Sequence, residues 1–130
     1  MQYRKNKVYK YTLVEDVVVD VRIYPVNPIH NDYISLWSDG KLFIRKGYSW
    51  DGATGVPDLD CLMTSSLVHD ALYQLMREGL LSKSMKERSD VVFREISIKN
   101  NCPVILAYSM FMMLIFIGHF ALEPYIKTVR

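Results

Sequence analysis

His69 and Asp70 stand side by side in a run with helical spacing, Tyr73 follows one turn later, and Asp90 lies in a second such run. An imidazole and a carboxylate are the pairing that general-base chemistry requires. A carboxylate bonded to one ring nitrogen fixes the tautomer and leaves the other nitrogen to take a proton. Steps of about 100° per residue put His69 at the inner edge of an apolar arc with Leu62, Tyr73 and Met76, and turn Asp70 toward Met63. Asp90 borders the apolar arc of the second run (Met85, Val92, Phe93, Ile96), with Arg88 at its opposite edge. If the two runs form an antiparallel pair through Gly79 to Lys83, Asp90 can approach His69. The plainer alternative leaves Asp90 on the surface, paired with Arg94 one turn on. Upstream, Trp50 to Pro57 gathers Gly52, Gly55, Asp51 and Thr54 into one connection. Such a loop can offer backbone N–H groups to an anion, or carbonyls and a carboxylate to a hard cation. Equally, Asp51 and Thr54 can do no more than satisfy their own turn.

The elements that must position these groups follow from periodicity. Val17, Val19, Val21 and Ile23 alternate with polar or outward positions, the period of a strand. A short strand over Lys7 to Val14 fits their Val, Tyr and Thr content. Tyr33–Trp37 and Lys41–Lys46 flank Ser38-Asp39-Gly40, a hairpin signal. Three helices follow: Leu59 to about Glu78, closed by Gly79; a second to about Asn100, opened by a capping box at Ser84 and Glu87; and a third opened by Pro103 and ended by Pro124. The reading is an α+β chain forming one domain over 1–130: β-rich to residue 50, a site loop at 48–58, and helical from 59.

Composition bounds the partners. The chain has 130 residues, half of them hydrophobic, which is enough for a core without staples. Its net charge of +2 points to no partner class. Arg4, Lys5, Lys7 and Lys10 interleave with Tyr3, Tyr9 and Tyr11, but lysines guarding a strand edge account for them better than nucleic-acid binding. Cys61 and Cys102 are expected to be buried thiols in a reducing compartment. The first residues lack the apolar stretch of a signal peptide. Residues 104–122 carry no acidic or basic side chain apart from His119. They read as a central core helix or, alternatively, as a helix that meets membrane lipid.

Two resemblances attach to these residues. The span from Tyr48 to about Ile98 resembles a small family of uncharacterised phage and prophage proteins. Their shared pattern is an aromatic–x–x–Asp–Gly–Ala–Ser/Thr loop ending in Pro, then His-Asp-x-Leu-Tyr, then an Arg and Asp ahead of a Phe. Here these are Trp50 to Pro57, His69 to Tyr73, and Arg88-Ser89-Asp90 before Phe93, with a slightly different Arg–Asp spacing. The resemblance implies a phage origin, location in the host cytoplasm or virion, and a virion or host protein as partner. The site pattern is also similar to calcium-dependent secreted phospholipases. That likeness implies His69 as base, Asp90 as its orienting group, and Asp70 with Asp51 and loop carbonyls around calcium. Trp50, Gly52, Thr54, Tyr73 and Arg88 would support them. The paired cysteines around the His-Asp motif and the Gly-x-Gly-Gly run of that family are absent. The functional expectation is a small hydrolase, with a non-catalytic phage protein as the alternative.

Overall fold

The computed structural model describes residues 1–5, 11–51 and 59–121. The loop residues Gly52 to Pro57 and the basic and aromatic positions Lys7, Tyr9 and Lys10 lie outside them. The architecture is α+β: among the described residues, seven short strands in two antiparallel sheets are followed by three helices. One sheet orders β1 (Tyr3–Lys5), β2 (Tyr11–Leu13) and β7 (Ser49–Trp50) side by side. The other runs β3 (Val17–Asp20), β6 (Lys41–Ile44), β5 (Ile34–Leu36), β4 (Ile29–His30). The β5–β6 hairpin turns where Asp-Gly predicts: Gly40 has φ +89°, and the Asp39 carboxylate accepts from the Lys41 N–H. β3 ends at Asp20, short of the expected Ile23, although the inward alternation continues past it, with Val21 and Ile23 buried and Val18 exposed.

Both sheets press on α1 (Asp60–Arg77). Tyr11, Leu13, Ile34, Leu36, Leu42 and Ile44 pack with Leu67, Val68, Leu72, Leu75 and Met76 in one cluster. The helix ends as its glycine requires. Gly79 takes φ +78°, and the Leu80 N–H returns to the Leu75 carbonyl, a Schellman closure. The expected capping box is replaced by a different device. Ser82 caps a short 3-10 turn at Lys83–Met85 by accepting from the Ser84 N–H, and α2 (Lys86–Lys99) continues from it without a side-chain cap. Ser84 therefore bonds backward to Ser82 rather than forward to Glu87.

The end of α2 corrects the reading of the cysteines. Asn101 adopts φ +68°, and the Cys102 N–H bonds the Ser97 carbonyl, so the chain folds back over the helix pair. This turn brings Cys102 to Cys61 at the start of α1, with Cα atoms 5.2 Å apart, and the two form a disulfide. They are not free thiols. The bridge spans 41 residues of sequence, a closure that contributes about 4 kcal/mol in the chain-entropy account. Reduction with a phosphine is therefore expected to lower the melting temperature by on the order of 10 °C. A melting curve unchanged by reduction counts against a structural role for the bridge.

The third helix, α3 (Val104–Ala121), is not buried all round. Its Leu106, Ala107, Met110, Met113 and Leu114 face inward, most of them against Leu62, Phe93 and the disulfide. Ile105, Tyr108, Met112 and Phe116 form an exposed apolar stripe, with Ile105 at 82% and Phe116 at 71% exposure. Among the described residues no helix is long and apolar enough to cross a membrane.

Candidate functional site

The α1 and α2 helices pack antiparallel, with Ser65 and Ser97 hydrogen-bonded across the seam at 2.8 Å. Small hydroxyls here let the two backbones approach. The polar cluster lies one turn beyond Ser65 on α1 and about two turns before Ser97 on α2. His69 and Tyr73 share one face of α1 at i and i+4, and Lys86 and Asp90 share one face of α2 at the same spacing.

Asp90 is fully buried and holds the cluster together. Its Oδ1 accepts from His69 Nε2 at 2.7 Å and from the Tyr73 hydroxyl at 2.7 Å. Its Oδ2 accepts from Lys86 Nζ at 2.9 Å. Burial by itself would raise the Asp90 pKa, but these three hydrogen bonds outweigh it and hold the carboxyl below its ordinary range. Asp90 is therefore a carboxylate with acceptors only, so Nε2 of His69 carries the proton and Nδ1 carries the lone pair. Among the described residues Nδ1 has no hydrogen-bond partner. The imidazole lies against the Tyr73 ring at 4.0 Å between centroids, with the Phe93 ring edge-on at 5.7 Å. Burial lowers the His69 pKa, against the opposing pull of Asp90, and only 7% of the residue remains exposed. The Tyr73 hydroxyl is pushed up, by burial first and then by its bond to Asp90, and stays protonated.

Lys86 is the member that sequence reasoning missed. Beyond Asp90, its ammonium donates to the Leu114 and Ile115 carbonyls of α3, each at 3.2 Å. The i, i+4 spacing to Asp90 was the available signal. Arg94, the surface partner considered for Asp90, instead lies over the Tyr108 and Phe111 rings of α3, its Cζ 4.9 and 4.5 Å from their centroids.

Trp50 places the site loop. Its indole is buried among Tyr3 and Tyr11, and Nε1 donates to the Ser66 hydroxyl at 3.2 Å. The next residue, Asp51, donates its backbone N–H to the Asp70 carboxylate. Ser66 and Asp70 are one turn apart, so consecutive residues of the loop dock on consecutive turns of α1. Desolvation first, and then the charge of Asp51, raise the Asp70 pKa to about 7. The predicted metal pair Asp51 and Asp70 is thus brought together, as is the catalytic pair His69 and Asp90 with supporting Tyr73. Gly52 and Thr54 lie outside the described residues. Arg88 is not brought in. It stands about 200° around α2 from Lys86 and Asp90 and lies beside Glu95 at 3.7 Å.

Burial and the neighbouring Asp51 charge both oppose ionisation of Asp70, and a divalent cation bound there would offset both. Among the described residues no group of three or more His, Cys, Asp or Glu side chains could hold a metal, so calcium would draw its remaining oxygens from backbone and water. The elevated Asp70 pKa also bears on stability. Its folded pKa lies above its unfolded value of 3.8, so the fold binds the extra proton and loses stability as pH rises from about 4 to about 7. Asp70→Asn removes that loss. The variant is expected to melt several degrees above wild type at pH 8, roughly 4 °C or more, and to match it at pH 3.5. Equal melting at pH 8 shows that the carboxyl ionises without cost.

Comparison of the chain with protein-family models, curated proteins and solved structures yields no match.

Proposed function

We propose that the protein is a small hydrolase that cleaves an ester at a lipid surface, with His69 as general base. The observation that supports this is the polarity of the cluster. Asp90 is ionised, accepts from Nε2 of His69, and is itself held by Tyr73 and Lys86, which leaves Nδ1 as the basic nitrogen. Nδ1 takes a proton from water as the water oxygen attacks the ester carbonyl. Asp90 stabilises the imidazolium that forms, and the imidazolium returns its proton to the leaving alkoxide oxygen. Tyr73 and Lys86 are positioning residues, because they act through Asp90. Asp51 and Asp70 would hold calcium on the same helix as His69, and a bound ion would supply Lewis-acid stabilisation of negative charge on the ester. The exposed stripe on α3 supplies apolar area for contact with lipid. In this reading the protein is phage-encoded and works in the host cytoplasm, in the virion or at a membrane.

A second reading follows from the completeness of the same cluster. Asp90 has no exposure, and both of its oxygens are occupied, as in a polar network that specifies a fold. The protein would then be a virion component or a binder of a host protein. One assay separates the two. Hydrolysis of short-chain phosphatidylcholine and of a p-nitrophenyl ester is measured with and without calcium, for wild type and His69→Asn. Activity that disappears in the variant supports the hydrolase; wild type indistinguishable from the variant leaves the structural reading.

A further inference from the structure

A cleft of about 980 Å³ opens between the segment at residues 22–30 and the α1–α2 connection, within the size range of small-molecule sites. None of its lining residues belongs to the His69 cluster. Its wall is apolar, from Ile23, Pro25, Pro28, Leu81 and Met85, and Tyr24, Val26 and Leu80 extend it into solvent. Among the described residues no acidic side chain lines it, whereas Arg22 and Arg88 both do.

Those two arginines converge on one carboxylate. Arg22 Nη2 lies 3.0 Å and Arg88 Nη2 3.7 Å from the same oxygen of Glu95. The two guanidinium groups therefore share the Glu95 carboxylate at the edge of an apolar wall. The placement of Arg22 is enforced by its backbone. It adopts φ +55°, in the left-handed region that non-glycine residues rarely occupy, and its N–H is held by the Asp20 carboxylate at 3.1 Å. Gly40 permits the arrangement, since a Cβ there would meet the Tyr24 ring at 2.8 Å and the Arg22 Cα at 3.3 Å. The segment thus lies against the hairpin turn at a position where any side chain would push it away.

We propose that this cleft binds a free single-chain amphiphile with a carboxylate head. The chain lies along the apolar wall and the head engages Arg22 and Arg88. Guanidinium suits a carboxylate through paired N–H donors, and the long apolar wall suits an alkyl chain. Charge selects the anion over a cation of equal chain length. Glu95 competes with the head for the same donors.

Calorimetric titration of the whole protein with dodecanoate, below its micelle concentration, tests this. The expected result is saturable binding of one dodecanoate per chain, about tenfold tighter than dodecanol or dodecyltrimethylammonium. Arg88→Ala and Arg22→Gly each weaken it by about fivefold to tenfold, and glycine retains the backbone that position 22 requires. Glu95→Gln strengthens binding by about twofold or more, an outcome that a damaged fold does not produce. Circular dichroism confirms that each variant is folded. Absence of saturable binding overturns the proposal, as does equal binding of the cationic amphiphile. Binding undiminished in the combined Arg22→Gly/Arg88→Ala variant also overturns it and places the amphiphile on the apolar stripe of α3. The readout is independent of hydrolysis, so failure here and failure of the His69 reading are distinct.

Discussion

Asp90→Ala is expected to lower the stability of the fold by about 3–5 kcal/mol, the largest loss for any single substitution in the site. The reason is the number of groups it orphans. An ammonium, a hydroxyl and an imidazole N–H all lose an acceptor that is fully buried. An unpaired buried charge costs far more than the pair gives, so removal of one partner is the damaging change. Asp90→Leu combined with Lys86→Met removes both ions and should recover much of the loss. Urea unfolding of wild type and the two variants measures this; a change under about 1 kcal/mol for Asp90→Ala shows that water replaces the lost carboxylate. The same cluster sets the acid limb of stability. The Asp90 folded pKa lies below its unfolded value, so its contribution is present above pH 4 and is lost as pH falls through the folded value. His69 is held neutral below its ordinary 6.5, so the fold also weakens as pH drops under that value and the unfolded chain takes up the proton. Asp70 works in the opposite direction between pH 4 and 7, which flattens the profile there.

His69→Asn is expected to cut ester hydrolysis by about 100-fold to 10,000-fold, the usual contribution of a general base. Asparagine can still donate toward Asp90, so stability should change much less than with Asp90→Ala. The pH profile is the sharper readout. Because burial lowers the His69 pKa, the wild-type rate should rise with pH along a limb centred below 6.5 and then level off. The variant should lack that limb. A rate unaffected by the substitution at every pH excludes the imidazole as base.

The meeting of His69 and Asp90 was legible because both lie on strongly periodic helices whose short connection fixes an antiparallel pair. Phase on each helix then decides the contact. Arg88 shows the converse: two residues from Asp90 in sequence, it faces the other way around α2 and joins Glu95. Lys86 escaped notice because an i, i+4 ion pair is ordinarily a surface feature. It becomes half-buried only once α3 lies across it. That docking had no signature, since a helix hydrophobic on every side has no phase, and Leu62 and Phe93 select which side packs. The disulfide escaped for a similar reason. It depends on a left-handed Asn101, one residue that reverses the chain and carries Cys102 to the start of α1.

Lys86 also acts as a tie rod. Its one ammonium spans from the backbone of α3 to the carboxylate that grips the imidazole. Any shift of that helix, such as one imposed on its greasy outer flank by a bilayer, would draw positive charge away from Asp90. The proton affinity of His69 would climb in response, so the ring's basicity reports the helix's position through that one ammonium.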